Sequence, residues 1–235
     1  MTATDAFGRL LYSRLIPEFC SDPSERFEPS LFRGKISSLM EDDARDFLRG
    51  WDGGILSHQG RGRYFLASGR IKEQFFWSGK RSFGSRSFTL WLEPIITVAA
   101  MARLHFDHGW PLSAIQSQSA DWAFDVVAHL PAAHHEHLAG EVKKSRNEVD
   151  DLILLMMRYG ADPSLPLPER TGKPRNAYKK SAALRARRAS IFWAIGPGGY
   201  GKVFRVFYQH DASFEFVPVG AEVLRCPGLD CVPVD

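Results

Sequence analysis

Cysteine is scarce in this chain. The three residues, Cys20, Cys226 and Cys231, are odd in number and scattered, which argues against a disulfide-stapled scaffold. Cys226 and Cys231 have no second ligand pair nearby, so a zinc site is not expected either. Reduced thiols fit a cytoplasmic protein. Long hydrophobic runs are also missing. Nothing approaches the roughly 20 apolar residues that cross a bilayer, and the first residues lack a signal-peptide pattern, so no membrane partner is expected. Internal repeats and long low-complexity segments are absent, which leaves no basis for a repeat architecture.

What remains is ordinary for a globular chain. Of 235 residues, 44% are hydrophobic and 24% charged, enough to bury a real core as one large domain or as one domain with an extension. The net charge of +3 is unevenly placed. Arg170 to Arg188 holds eight Lys or Arg residues and no acid, and Arg61 to Arg86 holds seven against Glu73 alone. The remainder is therefore strongly acidic. Such runs are either solvated faces or surfaces for a polyanion.

Residues 1–50 read as two helical stretches. Phe7, Leu10, Leu11, Leu15 and Ile16 mark the first, and Leu39, Met40, Phe47 and Leu48 mark the second, with a loop over 20–29 between them. From Gly53 to Phe88, YFLAS and IKEQFFW suggest a hairpin turning at Ser68-Gly69. Its aromatic residues are assigned to the core and its arginines to the surface. Trp91 to Trp110 reads as a helix with Pro94 in its first turn and Gly109 past its end. Its buried face is Ile95, Val98, Ala99, Ala102 and Leu104. Ala114 to Ala120 is expected as a short first strand of the core.

The stretch from Asp121 to Gly160 carries the chemistry. Trp122 to Leu130 and Leu138 to Lys143 have strand composition. Leu138 and Val142 face one way, Glu141 and Lys143 the other. An antiparallel pairing around a turn centred near Ala133 puts Asp125 opposite Glu141, side chains about 5 Å apart. Two ionised carboxylates that close repel by roughly 3 kcal/mol at an effective dielectric of about 20, so a cation is expected between them. Ser145 followed by Glu148 starts a helix in the manner of a capping box. Val149, Leu152, Ile153, Met156 and Met157 continue it, and Gly160 is expected to stop it. The turn residues His134, His135, Glu136 and His137 read as a solvated hairpin tip, because neighbouring histidines in one loop do not readily close a tetrahedral site. His129, on the Asp125 face, receives no role.

After a Pro-rich connector, Asn176 to Arg188 reads as a basic helix. Ile191 to Ile195, Lys202 to Tyr208 and Phe214 to Val219 read as strands. GPGGYG lacks the Lys-Ser/Thr ending of a phosphate loop and is taken as a hairpin turn.

An acidic strand end, an E-x-K strand and a capped amphipathic helix, in that order, resemble the PD-(D/E)XK, or restriction-endonuclease-like, nuclease superfamily. The matching residues are Asp125, Glu141, Val142 and Lys143, and the resemblance covers roughly residues 88–220. The chain departs from the pattern at Phe124, where the family has Pro, and Asp121 is a rival for the aspartate's role. The resemblance implies an α/β fold: an α-β-β-β-α-β core with a mixed central sheet flanked by helices over 88–220. A helical and hairpin extension would occupy 1–87 and a tail 221–235.

It further implies a metal-dependent endonuclease. Asp125, Glu141 and the Val142 carbonyl would hold one or two Mg²⁺ ions, with Mn²⁺ able to substitute. Lys143 would position or deprotonate the attacking water, and Glu93 is a candidate additional ligand. The family acts mostly on DNA, often as homodimers, in restriction, repair or defence against mobile DNA. Arg61, Arg63, Lys179, Lys180, Arg185, Arg187 and Arg188 are the candidate nucleic-acid contacts. No helix-turn-helix or zinc finger is recognisable, so targeting is left to a protein partner or to DNA structure.

Two other readings stay open. An E-x-K triplet arises by chance about once in a chain of this size. The protein is then a catalytically inactive nucleic-acid-binding or assembly subunit, or a protein-binding module working through its first fifty residues.

Overall fold

The structure is a computed structural model that describes residues 1–22, 25–69, 71–79, 86–119, 121–130 and 136–227. The expected hairpin tip at His134 and His135, the basic residues Arg70, Lys80 and Arg81, and Cys231 lie outside them. The architecture is mixed α/β. A six-stranded sheet organises the second half of the chain, in the order β11-β10-β9-β8-β7-β6. Its strands are β6 (Ile115–Ser117), β7 (Val126–His129), β8 (Glu136–Val142), β9 (Ile191–Ile195), β10 (Gly201–Tyr208) and β11 (Phe214–Val219). Within this sheet only β8 and β9 run parallel, and its other neighbouring pairs are antiparallel.

That one parallel step requires a crossover, supplied by two helices, α5 (Arg146–Ala161) and α6 (Lys173–Arg187). They cover one face of the sheet. The period-2 alternation of β7 to β10 sends Val127, Ala139, Phe192 and Phe204 into a core with Val149, Leu152, Met156, Ala177 and Leu184. The opposite residues, Val126, Leu138, Val142, Trp193 and Val203, pack toward α4 (Leu92–Phe106) and the N-terminal elements.

Helix α4 is more deeply placed than its sequence suggests. Instead of one buried face, ten of its residues are buried, consistent with a run that is apolar nearly all round. Against it packs α3 (Glu41–Asp52). A buried ion network joins the two helices: Arg103 donates to Asp43 at 2.8 Å and to Asp46 at 2.6 Å. Asp43 also accepts from the Gly198 N–H at 2.6 Å, which ties the β9–β10 turn to the same network.

Several local expectations are corrected. The first helix continues from α1 (Ala3–Leu10) through a π turn into α2 (Ile16–Cys20), but the expected loop over 20–29 gives way to β1 (Phe27–Phe32). The hairpin expected at Ser68-Gly69 forms only in part: Tyr64 and Glu73 exchange backbone hydrogen bonds across it at 3.0 and 2.8 Å, without a continuous ladder. β3 (Tyr64–Leu66) pairs along its length with β2 (Leu56–His58), and among the described residues its backbone bridges the following segment at Tyr64–Glu73. β4 (Phe76–Trp77) pairs instead with β5 (Arg86–Leu90), which also lies parallel to β1. The boundary placed at 87/88 falls inside β5. Tyr64, Phe75 and Phe76 are core residues as expected, but Arg86 is buried too, bonded to Glu25 at 2.8 Å and lying over the Phe27 ring.

Gly160 does not stop α5. The helix runs on to Ala161, and Gly160 is where the Phe214 ring passes so close that a Cβ would lie 2.6 Å from it.

Candidate active site

The β7–β8 register is the one expected for a turn centred on Ala133: Val126 pairs with Gly140, Val127 with Ala139 and Ala128 with Leu138. The ladder ends one residue short of Asp125. The Asp125 N–H donates to the Gly140 carbonyl at 3.0 Å, and its carboxylate accepts from the Val142 N–H at 2.9 Å. Strand alternation then turns Glu141 and Lys143 to the face covered by α5 and α6, and Asp125 comes to the same place.

Glu141 is only 2% exposed, yet both of its oxygens are satisfied by ammonium groups. Oε1 accepts from Lys143, whose Nζ also donates to the Val142 carbonyl at 2.8 Å. Oε2 accepts from Lys180 of α6 at 2.6 Å. Lys180 is itself buried and donates to the Ala123 carbonyl at 2.5 Å. A buried carboxylate is tolerable only when its charge is compensated and its lone pairs are filled. Two lysines do both here.

These charges set the protonation states. Burial pushes the Asp125 carboxyl up to about 7, and Glu141 adds to the rise. Lys180, Lys143 and the Val142 N–H work the other way. For Lys143, burial favours the neutral amine, but Glu141 and Asp125 outweigh it and hold the ammonium above its usual value. Lys143 is therefore a cation and a hydrogen-bond donor while it stays paired with Glu141.

A cleft of about 200 Å³ opens at Lys143. It is lined by Glu93 at the start of α4, by Lys144, Glu148, Leu152 and Leu155 around the first turns of α5, and by Lys173 and Asn176 of α6. Ser145 caps α5 as expected, accepting from the Glu148 N–H at 3.3 Å. Glu93 thus sits beside Lys143, where it also accepts from the Trp91 indole N–H at 3.2 Å. Asp121 does not join the group. It is 52% exposed at its side chain, pairs with Arg187, and accepts from the Ser119 hydroxyl at 2.9 Å. Of the two rival aspartates, Asp125 is the one beside Glu141.

The basic residues divide between surface and interior. Arg63 and Lys179 are exposed, as is Arg188, which lies over the Tyr208 ring. Arg61 is exposed and pairs with Asp22 at 3.2 Å. Arg185 donates to the Tyr159 carbonyl at 2.7 Å. Lys180 and Arg187 need correction as outward-facing contacts: Lys180 is in the acid cluster, and Arg187 bridges Asp121 and Glu136. Glu136 is correspondingly buried at the start of β8, and His137 approaches Trp110, so neither belongs to a solvated tip. His129 reaches the Gln116 side-chain amide at 2.8 Å.

Lys180, named from the sequence as a nucleic-acid contact, is the residue whose place in the acid cluster sequence reasoning missed. The signal was present: Ala177, Lys180 and Leu184 recur at helical spacing, so the lysine stands in the apolar stripe of α6. A lysine in that stripe needs a buried acid.

Comparison with family models, curated proteins and solved structures gives no match for this chain. No helix among the described residues is long and apolar enough to cross a membrane.

Proposed function

We propose that this protein is a metal-dependent nuclease of the restriction-endonuclease-like kind, hydrolysing phosphodiester bonds in DNA. The observation that carries the reading is the gathering of Asp125, Glu141 and Lys143 on one sheet face, with Lys143 reaching the wall of a cleft. The order of elements around them supports it: α4, then β6-β7-β8 as an antiparallel run, a helical crossover, and β9 parallel to β8.

The residues suit a divalent cation. Among the described residues no group of three His, Cys, Asp or Glu side chains forms a cation cage. Mg²⁺, however, is commonly held by one or two carboxylates and keeps several waters. Asp125, Glu141 and the Val142 carbonyl are hard oxygen donors of that kind. A cation already bridges two of them, since the Lys143 ammonium contacts both the Glu141 carboxylate and the Val142 carbonyl. Asp125, Glu141 and the Val142 carbonyl are the groups that would hold a metal in that ammonium's place.

Mg²⁺, or Mn²⁺ in its place, would supply an activated water and neutralise charge on the phosphate. The chain's own groups do the rest. Asp125 and Glu141 would hold the cation, and Lys143 would donate to a phosphate oxygen and position or deprotonate the attacking water. Lys144 and Lys173 at the cleft rim, with Arg63, Lys179 and Arg188 on the surface, attract the backbone.

One observation favours a second reading. Both Glu141 oxygens and the Val142 carbonyl are already bonded to ammonium groups, so the cluster is neutralised without metal. A catalytically inactive nucleic-acid-binding or assembly subunit would look the same. Calorimetric titration with Mg²⁺ separates the two. The nuclease reading expects binding by the wild type and its loss in Asp125→Asn, whereas no binding to either leaves the inactive subunit.

A further inference from the structure

Helix α6 holds the approach to Asp125 from one side. Lys180 and Arg187, seven residues apart, lie on the same face two turns along the helix. The Lys180 ammonium and the Arg187 guanidinium stand 5.7 and 6.0 Å from the centre of the buried Phe124 ring. Lys180 reaches Ala123 and Glu141, and Arg187 reaches Asp121 and Glu136. One helix face therefore grips both the 121–124 loop and β8.

The loop needs such a grip. Gln118 and Trp122 have φ of +58° and +61°, a left-handed conformation that is unfavourable for residues other than glycine, and Trp122 is bulky and 65% exposed. Strain of this kind persists only where the surroundings enforce it. The Ser119 hydroxyl takes the Ala123 and Phe124 N–H groups at 2.9 and 3.0 Å, which shapes the turn. Lys180 is what connects that turn to the acid on the next strand.

We propose that Lys180 is a positioning residue: by joining the Ala123 carbonyl to the Glu141 carboxylate it sets where Asp125 stands relative to Glu141. This rests on the nuclease reading for its catalytic meaning but not for its geometry. It also divides the two lysines by task. Lys180 is the buried, permanent partner of Glu141, and Lys143, at the cleft, is the one that exchanges for metal or substrate.

The test reads the hydrogen bond that reports Asp125's place. In Lys180→Met, amide hydrogen exchange at Val142, whose N–H donates to Asp125, is expected to quicken by about tenfold or more. The Lys143 N–H, held by the Ile195 carbonyl at 2.8 Å, is expected to stay protected. Unchanged exchange at Val142 would overturn the proposal. So would equal acceleration of both amides, because that is general loosening. If the single variant does not fold, Lys180→Met with Glu141→Gln removes the stranded charge while leaving the Ala123 tether cut, and the same comparison decides.

Mg²⁺ affinity adds a readout of opposite sign. Removing a positive charge alone would tighten cation binding, whereas displacing Asp125 weakens it. Weaker binding by Lys180→Met supports positioning, and equal or tighter binding contradicts it. Should the wild type bind no metal, the nuclease reading fails and the amide comparison alone judges Lys180.

Discussion

Asp125→Asn replaces a carboxylate by a group of nearly the same shape whose carbonyl oxygen can still accept from the Val142 N–H. The main change is therefore in charge. In the folded protein the Asp125 carboxyl is pushed from 3.8 to about 7, first by burial and then by Glu141. The folded state thus binds this proton more tightly than the unfolded chain does. Stability of the metal-free wild type falls as pH rises from the unfolded value toward 7, and levels off above it. A rise of about three pKa units corresponds to roughly 4 kcal/mol in all, of which roughly 2.5 is lost between pH 5 and pH 8.

Asparagine has no proton to lose. Urea unfolding in EDTA at pH 5, 6, 7 and 8 should therefore show Asp125→Asn gaining on the wild type by about that amount across the series. Mg²⁺ should recover the wild type at pH 8 and do nothing for the variant. A stability difference that stays flat with pH would refute the claim that this carboxylate is held close to Glu141 in a desolvated site.

Two further substitutions test the framework around the site. Gly160→Ala gains helix propensity, but its Cβ would lie 2.6 Å from the Phe214 ring, so a net destabilisation of roughly 1–3 kcal/mol is expected in urea unfolding. A stabilised variant would mean that α5 and β11 are not packed as described. Ser145→Ala removes the side-chain acceptor for the Glu148 N–H and should cost about 1 kcal/mol by thermal unfolding, with no change in which residues line the cleft.

Much of the site was legible because its signals are local. Strand periodicity separated Leu138 and Val142 from Glu141 and Lys143, and symmetry about Ala133 gave the β7–β8 register. Ser145 and Glu148 marked the start of α5, and GPGGYG the β9–β10 hairpin. What escaped notice depends on distant partners. Strand β1 exists because β5, more than fifty residues away, pairs with it, and the segment after Ser68-Gly69 finds its main strand partner in β5 rather than β3.

Gly160 is small to admit Phe214 and not to end a helix, which no helix rule can foresee. Lys180 and Arg187 read from the sequence as part of a basic run because formal charge does not tell which side of a helix finds an acid. The stripe positions of α6 carried that information, and it becomes decisive only once Glu141 is known to be buried beneath them.

The most direct measurement is cleavage of supercoiled plasmid DNA by the wild type and by Lys143→Ala, each with Mg²⁺ and with EDTA. Nicked and linear products from the wild type only when Mg²⁺ is present, with little or none from the folded variant, is the predicted result. Equal cutting by both proteins, or cutting that persists in EDTA, would contradict a metal-dependent site built on Asp125, Glu141 and Lys143.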